Sequence, residues 1–372
     1  MATPSRRTFI RQFGLGLGAS TLSGTALARG HYTPPVAPAR KLGIALCGLG
    51  QYAGLLKGKL VDSQYSHLAG IITGTPAKAQ QWKQELKLPD KNCYSYQTFD
   101  QLRDNPDIEL VYITLPNGLH KEYTIRAAQA GKHVLVEKPM ALSEADCRDM
   151  IAACRAAGVQ LAVGYRLHYD PHHQAIQRLG QQQLLGPVRL IEASLGYRLA
   201  GIQPNNWHLS KTMAGGGPLM NIGIYCVQSA RYVLGEEPVA VTAQYGPVTM
   251  PDVFREVEEN ITWQLYFPSG AVATSSCMAN ANIDRLYAAA DNGFFELSPA
   301  LSYGPFNGRS SQGVFSFPVV NQQAALVDDV ARHILAGKPM PDHIAGEEGR
   351  RDLLILDAIY RAADTGQKIS LQ

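Results

Sequence analysis

The run Gly48-Leu49-Gly50-Gln51-Tyr52-Ala53 constrains this chain more than any other feature. It follows an apolar segment, Leu42–Cys47, that reads as a buried strand, and it opens a stretch of helical character. The spacing is G-x-G-x-x-G/A. Gly48 permits a tight turn, Gly50 lets the backbone approach a pyrophosphate, and Ala53 lets helix and strand lie close. The helix start adds free amides and the positive end of its dipole. The expectation is a dinucleotide-binding βα unit, with Leu49, Gln51 and Tyr52 completing the loop.

The sequence that follows keeps this rhythm. Strands are expected at Leu42–Cys47, His67–Thr73, Leu110–Leu115, His133–Val136 and Val159–Gly164. Helices are expected at Lys78–Leu86, Thr98–Arg103, Lys121–Ala130 and Glu144–Ala157. Repeated βα units imply a doubly wound parallel sheet, an α/β Rossmann domain over residues 41–164. After about residue 185 the pattern changes. Val188–Tyr197, Val239–Tyr245, Glu259–Tyr266, Ala271–Ala279 and Gly293–Leu297 alternate as strands do, and Pro268-Ser269-Gly270 supplies a hairpin turn. Helices fit Pro218–Leu234, Gln322–Ala336 and Glu347–Thr365. Residues 165–372 should therefore form an α+β substrate and oligomerisation domain with a mostly antiparallel, open sheet, whose final helices can return to the Rossmann domain. An uncovered sheet face points to a homodimer or homotetramer.

The end of the second strand selects between NAD and NADP. An acidic residue there would hold the ribose 2′-hydroxyl. Here the segment reads Thr73-Gly74-Thr75, with Lys78 just beyond, so it favours NADP. Leu115-Pro116-Asn117-Gly118-Leu119-His120 follows the next long strand and would lie over the nicotinamide; His120 either touches cofactor or substrate or simply starts a helix. Val134-Leu135-Val136 ends in Glu137-Lys138-Pro139. Ligands in such sheets bind beyond the carboxyl ends of strands, so this strand would deliver the Lys138 ammonium to a cleft. A Lys-Pro bond has access to the cis form.

The N-terminus has its own logic. Ser5-Arg6-Arg7-Thr8-Phe9-Ile10-Arg11 is a twin-arginine pattern, a moderately apolar run spans Phe13–Leu27, and Ala26-Leu27-Ala28 fits a cleavage site. Residues 1–28 are expected to be an export signal read by the twin-arginine machinery, which would carry the protein, already folded, to the periplasm. Residues 29–40, with Pro34, Pro35 and Pro38, read as an extended arm. The net charge of +3 and the absence of a basic block argue against nucleic-acid binding, and no later stretch is apolar enough to span a bilayer. Six cysteines show no metal spacing. Cys147 and Cys154 are about 10 Å apart on a helix at 1.5 Å per residue, too far for a disulfide.

Taken together, the glycine loop, the LPNGLH segment, Glu137-Lys138-Pro139, Gly164-Tyr165-Arg166-Leu167-His168-Tyr169-Asp170-Pro171 and the run from Gly215 to Tyr225 resemble the Gfo/Idh/MocA oxidoreductase family. The resemblance extends from residue 41 to the end. It implies that Lys138 and Tyr225 act at a sugar and that the protein oxidises an aldose, passing hydride through bound NADP(H) to a second sugar carbonyl. The chemistry agrees. Taking a hydroxyl proton with a phenol, ordinarily of pKa about 10, calls for a nearby cation. Lys138 is such a cation. The family usually has an aspartate four residues before the tyrosine. This chain has Asn221, which would orient the sugar or Lys138.

Arg166 is expected at the cofactor, and Tyr165, His168 and Tyr169 at the substrate, since all follow a strand end directly. Trp207 and His208 precede the glycine-rich motif; an indole there either stacks on a sugar face or serves packing. The cluster His168, Asp170, His172 and His173 lacks zinc spacing, so no metal is expected. Other outcomes share these motifs: a sugar dehydrogenase with exchangeable cofactor, a nicotinamide-using glycoside hydrolase, or a non-catalytic sugar-binding protein.

Overall fold

The computed structural model describes residues 39–199 and 201–371. The expected export signal lies outside these residues, as does the proline-rich arm apart from Ala39 and Arg40.

The first half begins with β1 (Leu42–Cys47), every residue of which is buried. Then come α1 (Gln51–Lys59), β2 (Ser66–Ile72), α2 (Pro76–Leu86), β3 (Cys93–Tyr94), β4 (Leu110–Ile113), α3 (His120–Gln129), β5 (His133–Val136), α4 (Glu144–Ala156) and β6 (Leu161–Val163). The six strands form one sheet in the order β3-β2-β1-β4-β5-β6, all pairs parallel. The order reverses between β1 and β4, which opens a crevice at their carboxyl ends. Thr98–Arg103, expected as α-helix, is instead a tighter 3-10 segment over Phe99–Asp104. Phe99 and Leu102 sit three apart and are both fully buried, a spacing that suits the three-residue turn.

The second half contains α5 (Pro171–Gln181), β7 (Val188–Gly196), the short α6 (Lys211–Ala214), α7 (Ile224–Leu234), β8 (Ala240–Tyr245), β9 (Asn260–Tyr266), β10 (Val272–Met278), β11 (Ile283–Ala290), β12 (Gly293–Leu297), β13 (Gly308–Ser310), β14 (Gly313–Phe315), α8 (Gln322–Leu335), α9 (Gly346–Thr365) and β15 (Ile369–Ser370). Nine strands lie in the order β14-β13-β12-β11-β7-β10-β9-β8-β15. Only β7–β10 is a parallel pair, so the sheet is open and mostly antiparallel, as expected.

Strand β11 escapes a reading by propensity. Its alanine-rich end, Ala288-Ala289-Ala290, is poor in strand-forming residues. It forms because it pairs along its whole length with β7, and Leu286 and Ala288 turn into the core. On β9 and β10 the alternation is clean: Ile261, Trp263, Leu265, Ala273, Ser275 and Cys277 point inward, whereas Thr262, Gln264 and Thr274 are exposed. Helix α7 lies on the inner face of this sheet, against β7 and β10, and α9 packs against both β8 and α4.

A buried ion network joins α7 to α9. Arg231 Nη1 donates to Glu348 Oε1 at 2.6 Å and to Asp352 Oδ1 at 2.7 Å, and Arg231 Nη2 donates to Glu237 Oε1 at 2.6 Å. Burial raises the Asp352 carboxyl to about 7, and the Arg231 charge pulls it the other way. The six cysteines are all free. Five are buried, among them Cys147 and Cys154.

Candidate active site

Residues from both halves line one cleft of about 520 Å³. Its first wall is the turn after β1. Gly48 has φ +93, and a Cβ there would come within 2.8 Å of the Leu115 side chain. Gly50 precedes α1, and a Cβ on Gly50 would meet no atom within 4 Å. That free volume faces the cleft, beside the amides that start a nine-residue helix without an acidic residue in its first turn. The cradle fits a pyrophosphate. Leu49, Gln51 and Tyr52 line the cleft beside it.

At the end of β2, Thr73 and Thr75 line the cleft together with Lys78 and Tyr96. Gly74 lies between the threonines and against the Tyr96 ring, which a Cβ would approach to 2.9 Å. The Lys78 ammonium donates to the Leu49 carbonyl at 3.1 Å, bridging the second strand's end to the glycine loop. Among the described residues, Glu137 is the single carboxylate lining the cleft, and it sits elsewhere, at the end of β5. The Thr73–Lys78 corner thus presents hydroxyls and an ammonium, and no carboxylate, to the cleft.

The opposite end is framed by Leu115, Pro116 and Asn117 after β4. Asn117 Nδ2 donates to the Ala214 carbonyl at 2.9 Å, fastening this loop to α6. His120 starts α3 and lies in the cleft wall, fully buried. Its Nε2 lies 2.8 Å from the Leu115 carbonyl and its Nδ1 lies 2.9 Å from that of Pro139. The ring thus sits between the two loops; burial lowers its pKa, and a neutral ring donates to one of the two carbonyls. Glu137 accepts from the Tyr112 hydroxyl at 2.5 Å. Burial raises the Glu137 carboxyl, opposed by Tyr112, by the neighbouring Lys138 charge and by Tyr52.

Lys138 follows β5, and its bond to Pro139 is cis. Its Nζ donates to the backbone carbonyl of Asn221 at 2.7 Å and lies 4.9 Å from the centre of the Tyr225 ring. So the main chain at 221, and not the asparagine amide, holds the ammonium. Lys138 sits over the face of the Tyr225 ring, a cation–π arrangement. Asn221 lies in a π turn, Leu219–Gly223, that runs into α7, where Tyr225 is the second residue. The expected helix Pro218–Leu234 is therefore interrupted, and single π turns of this kind cluster at functional sites. Asn221 and Tyr225 both line the cleft.

Four of the expected positions lie away from the lining of this cleft. Arg166 does not line the cleft; it is 2% exposed and stands behind Tyr225. Its Nη2 donates to the carbonyls of Leu301 and Ser302 at 3.2 and 3.0 Å, and its Cζ lies 5.3 Å from the Tyr225 ring and 4.3 Å from that of Tyr303. Burial works against its charge, but the surrounding tyrosines, Tyr225 first, keep its pKa above the usual value. Tyr165 is 1% exposed and faces Asp352. The His168 ring packs 3.9 Å from Tyr232 and 4.8 Å from His343, and burial drives its pKa well down. The Tyr169 hydroxyl donates to Asp329 at 2.7 Å. The 3-10 turn Arg166–Tyr169, which Tyr165 precedes, carries the chain under α8 instead of along the cleft.

Trp207 and His208 do reach the cleft, from a single 3-10 turn, with rings stacked 3.7 Å apart. His208 Nδ1 donates to Asn206 Oδ1 at 2.8 Å. Burial, and then the Lys138 charge, lower the His208 pKa to about 4, so the ring is neutral at ordinary pH. His172 and His173 are buried on Asp170 and the Ala300 carbonyl. Among the described residues no group of three or more His, Cys, Asp or Glu is placed to hold a metal. Sequence reasoning missed Tyr303, 57% exposed at the cleft edge, because it lies in an irregular loop with no periodic signal. It also missed Tyr96, Thr114 and Asn206. An apolar recess of about 40 Å³ shares His208 and Asn221 with the cleft.

Residues 42–165 match the family model described as "Oxidoreductase family, NAD-binding Rossmann fold", and residues 173–295 match the GFO/IDH/MocA C-terminal domain. The chain belongs to the GFO/IDH/MocA family. Within it, a solved aldose-aldose oxidoreductase from Caulobacter crescentus, complexed with glycerol, is 40% identical, with a TM-score of 0.86 over 89% of this chain and 100% of that one. D-xylose 1-dehydrogenase [NADP(+)] from Haloarcula marismortui is 25% identical over 76% of this chain and 79% of its own length. 1,5-Anhydro-D-fructose reductase from Ensifer adhaerens is 32% identical, with the match spanning 53% of its length and 48% of this chain. The GFO/IDH/MocA match thus covers both the half that carries the glycine loop and the half that carries Tyr225.

Proposed function

We propose that the protein is an NADP-dependent sugar oxidoreductase. It oxidises an aldose at C1 to a lactone and delivers the hydride, through a cofactor retained between half-reactions, to a second sugar carbonyl. The observation that carries this reading is the placement of Lys138 and Tyr225 together at the end of the cleft away from Lys78. The relatives named for aldoses, xylose and anhydrofructose support a sugar as substrate.

The glycine loop and the α1 amides would hold the pyrophosphate, Thr73, Thr75 and Lys78 the ribose phosphate, and the Leu115–Asn117 loop the nicotinamide. When bound, the nicotinamide accepts or returns hydride. Tyr225 takes the proton of the sugar hydroxyl as the carbonyl forms, and gives it back in the reverse direction. Lys138, anchored on the Asn221 carbonyl, keeps a positive charge against Tyr225 and within reach of the reacting oxygen. Asn221 and the Trp207–His208 stack orient the ring. The twin-arginine pattern supports a periplasmic location, and the exposed sheet face supports a homo-oligomer.

The test is to mix protein purified without added nucleotide with a panel of aldoses and to analyse products by mass spectrometry. Paired lactone and alditol, without external NADP, is the expected result. Products that appear only when fresh NADP is supplied would reject the retained cofactor, and none under either condition would reject the activity.

A further inference from the structure

The run Gly215-Gly216-Gly217, just ahead of the π turn, is gripped from behind. Glu258, two residues before β9, does not line the cleft; it opens onto a separate hollow with Lys211, Arg255 and Tyr360. Its Oε2 accepts from the Gly217 amide at 2.8 Å. Its Oε1 accepts from the Leu219 amide at 3.0 Å and from the Tyr360 hydroxyl at 3.0 Å. Burial raises the Glu258 carboxyl, and these three donors work the other way. The glycines make the approach possible. A Cβ on Gly216 would lie 1.8 Å from the Tyr360 hydroxyl oxygen, and one on Gly217 would lie 2.1 Å from the Glu258 carbonyl oxygen.

The gripped residues also set the π turn. Gly217 accepts from the Asn221 amide at 3.2 Å, and Leu219 accepts from the Ile224 amide. Hence the two residues whose amides Glu258 holds, Gly217 and Leu219, also offer the carbonyls that take the Asn221 and Ile224 amides, and so frame the Asn221 carbonyl that takes the Lys138 ammonium at 2.7 Å.

We propose that Glu258, supported by Tyr360, is a positioning residue for Lys138: it fixes the π turn whose Asn221 carbonyl aims the ammonium at Tyr225. The residue touches neither cleft nor substrate and acts through the main chain. Its part in turnover rests on the oxidoreductase reading; its part in placing Lys138 does not.

The experiment compares Glu258→Ala, Glu258→Gln and Tyr360→Phe in the full chain. Three quantities are measured: NADP(H) retained on purification, kcat and KM for a sugar, and the rate at which limiting acetic anhydride acetylates Lys138, read by peptide mass spectrometry against Lys121 as internal reference. A displaced catalytic group costs about 100-fold per ångström, so Glu258→Ala should lower kcat by about 10- to 100-fold while KM stays within about threefold. Lys138 should become acetylated faster as its carbonyl partner is lost. Glu258→Gln, which keeps one acceptor oxygen, should show the same changes more weakly. Should Glu258→Ala fail to fold, Tyr360→Phe leaves the carboxylate in place and should shift both readouts in the same direction. Unchanged Lys138 acetylation in every folded variant overturns the proposal, as does a rise in KM at constant kcat. Faster Lys138 acetylation in the variants, with no sugar turnover by the unaltered protein, rejects the oxidoreductase reading and leaves the positioning role standing.

Discussion

Lys138 Nζ is bonded to the main-chain carbonyl of Asn221, 2.7 Å away, so the bond survives any side chain at 221. Asn221→Ala should therefore keep Lys138 in place and lose only what the amide gives the sugar. A single neutral hydrogen bond is worth about 0.5–1.5 kcal/mol, so the sugar KM should rise by about 2- to 10-fold with kcat little altered. Steady-state kinetics on a turned-over aldose decide this; a collapse of kcat with constant KM would mean the amide acts in the chemistry.

Tyr225→Phe keeps the ring that Lys138 and Arg166 face and removes only the hydroxyl. Loss of a positioned acid–base group costs about 10²- to 10⁴-fold in turnover. Retained NADP(H), measured by absorbance of the denatured extract, should be unaffected. Near-normal rates would take Tyr225 out of the mechanism.

Lys78→Ala should reduce affinity for NADP(H) more than for NAD(H). A charge-assisted contact is worth about 1.5–3 kcal/mol, or about 10- to 150-fold. Titration of nucleotide-free protein with each dinucleotide measures the ratio. Equal losses for both would assign Lys78 to its bond with the Leu49 carbonyl alone.

Arg231→Met should destabilise the fold by about 3–5 kcal/mol, because Glu348 and Asp352 would be left buried without their cation. Urea unfolding at neutral pH reads this directly. A buried carboxyl with a raised pKa favours the folded state at low pH and loses that advantage as pH rises through its folded value. The deficit should accordingly shrink toward pH 4. A deficit independent of pH would point to lost packing instead.

The neutral state of His208 gives a second pH test. Its folded pKa, about 4, lies below the ordinary value for histidine, so the unfolded chain binds the extra proton first. Stability from this group is complete above about pH 6.5 and is lost as pH falls toward 4, on the order of 2 kcal/mol once partial solvent screening is allowed for. His208→Asn should flatten that part of the stability–pH curve. An unchanged slope would assign it to other groups.

The glycine loop and the strand-end lysine were legible because their geometry is local. A turn after a buried strand has few solutions, and a residue leaving β5 has one direction to go. The positions of Arg166, Tyr165, His168 and Tyr169 off the cleft lining were not legible, because the path after β6 is decided by packing against α8, more than 150 residues later, as the bond between Arg166 and Gln322 shows. Strand β11 hid behind alanines whose pairing is set by β7. Glu258 carried no signal, since its neighbours Gly217, Leu219 and Tyr360 meet it only in the folded chain. The amide at 221 drew attention as a departure in side chain, whereas Lys138 is held by the backbone.

Helix α9 serves both sheets, lying on α4 of the first half and on β8 of the second, while supplying Glu348 and Asp352 to the helix that bears Tyr225 and Tyr360 to Glu258. The two halves are consequently not interchangeable cassettes. A chimaera that grafts a foreign substrate module onto residues 41–164 must bring a matching α9 with it, or the transplanted tyrosine arrives without its anchor.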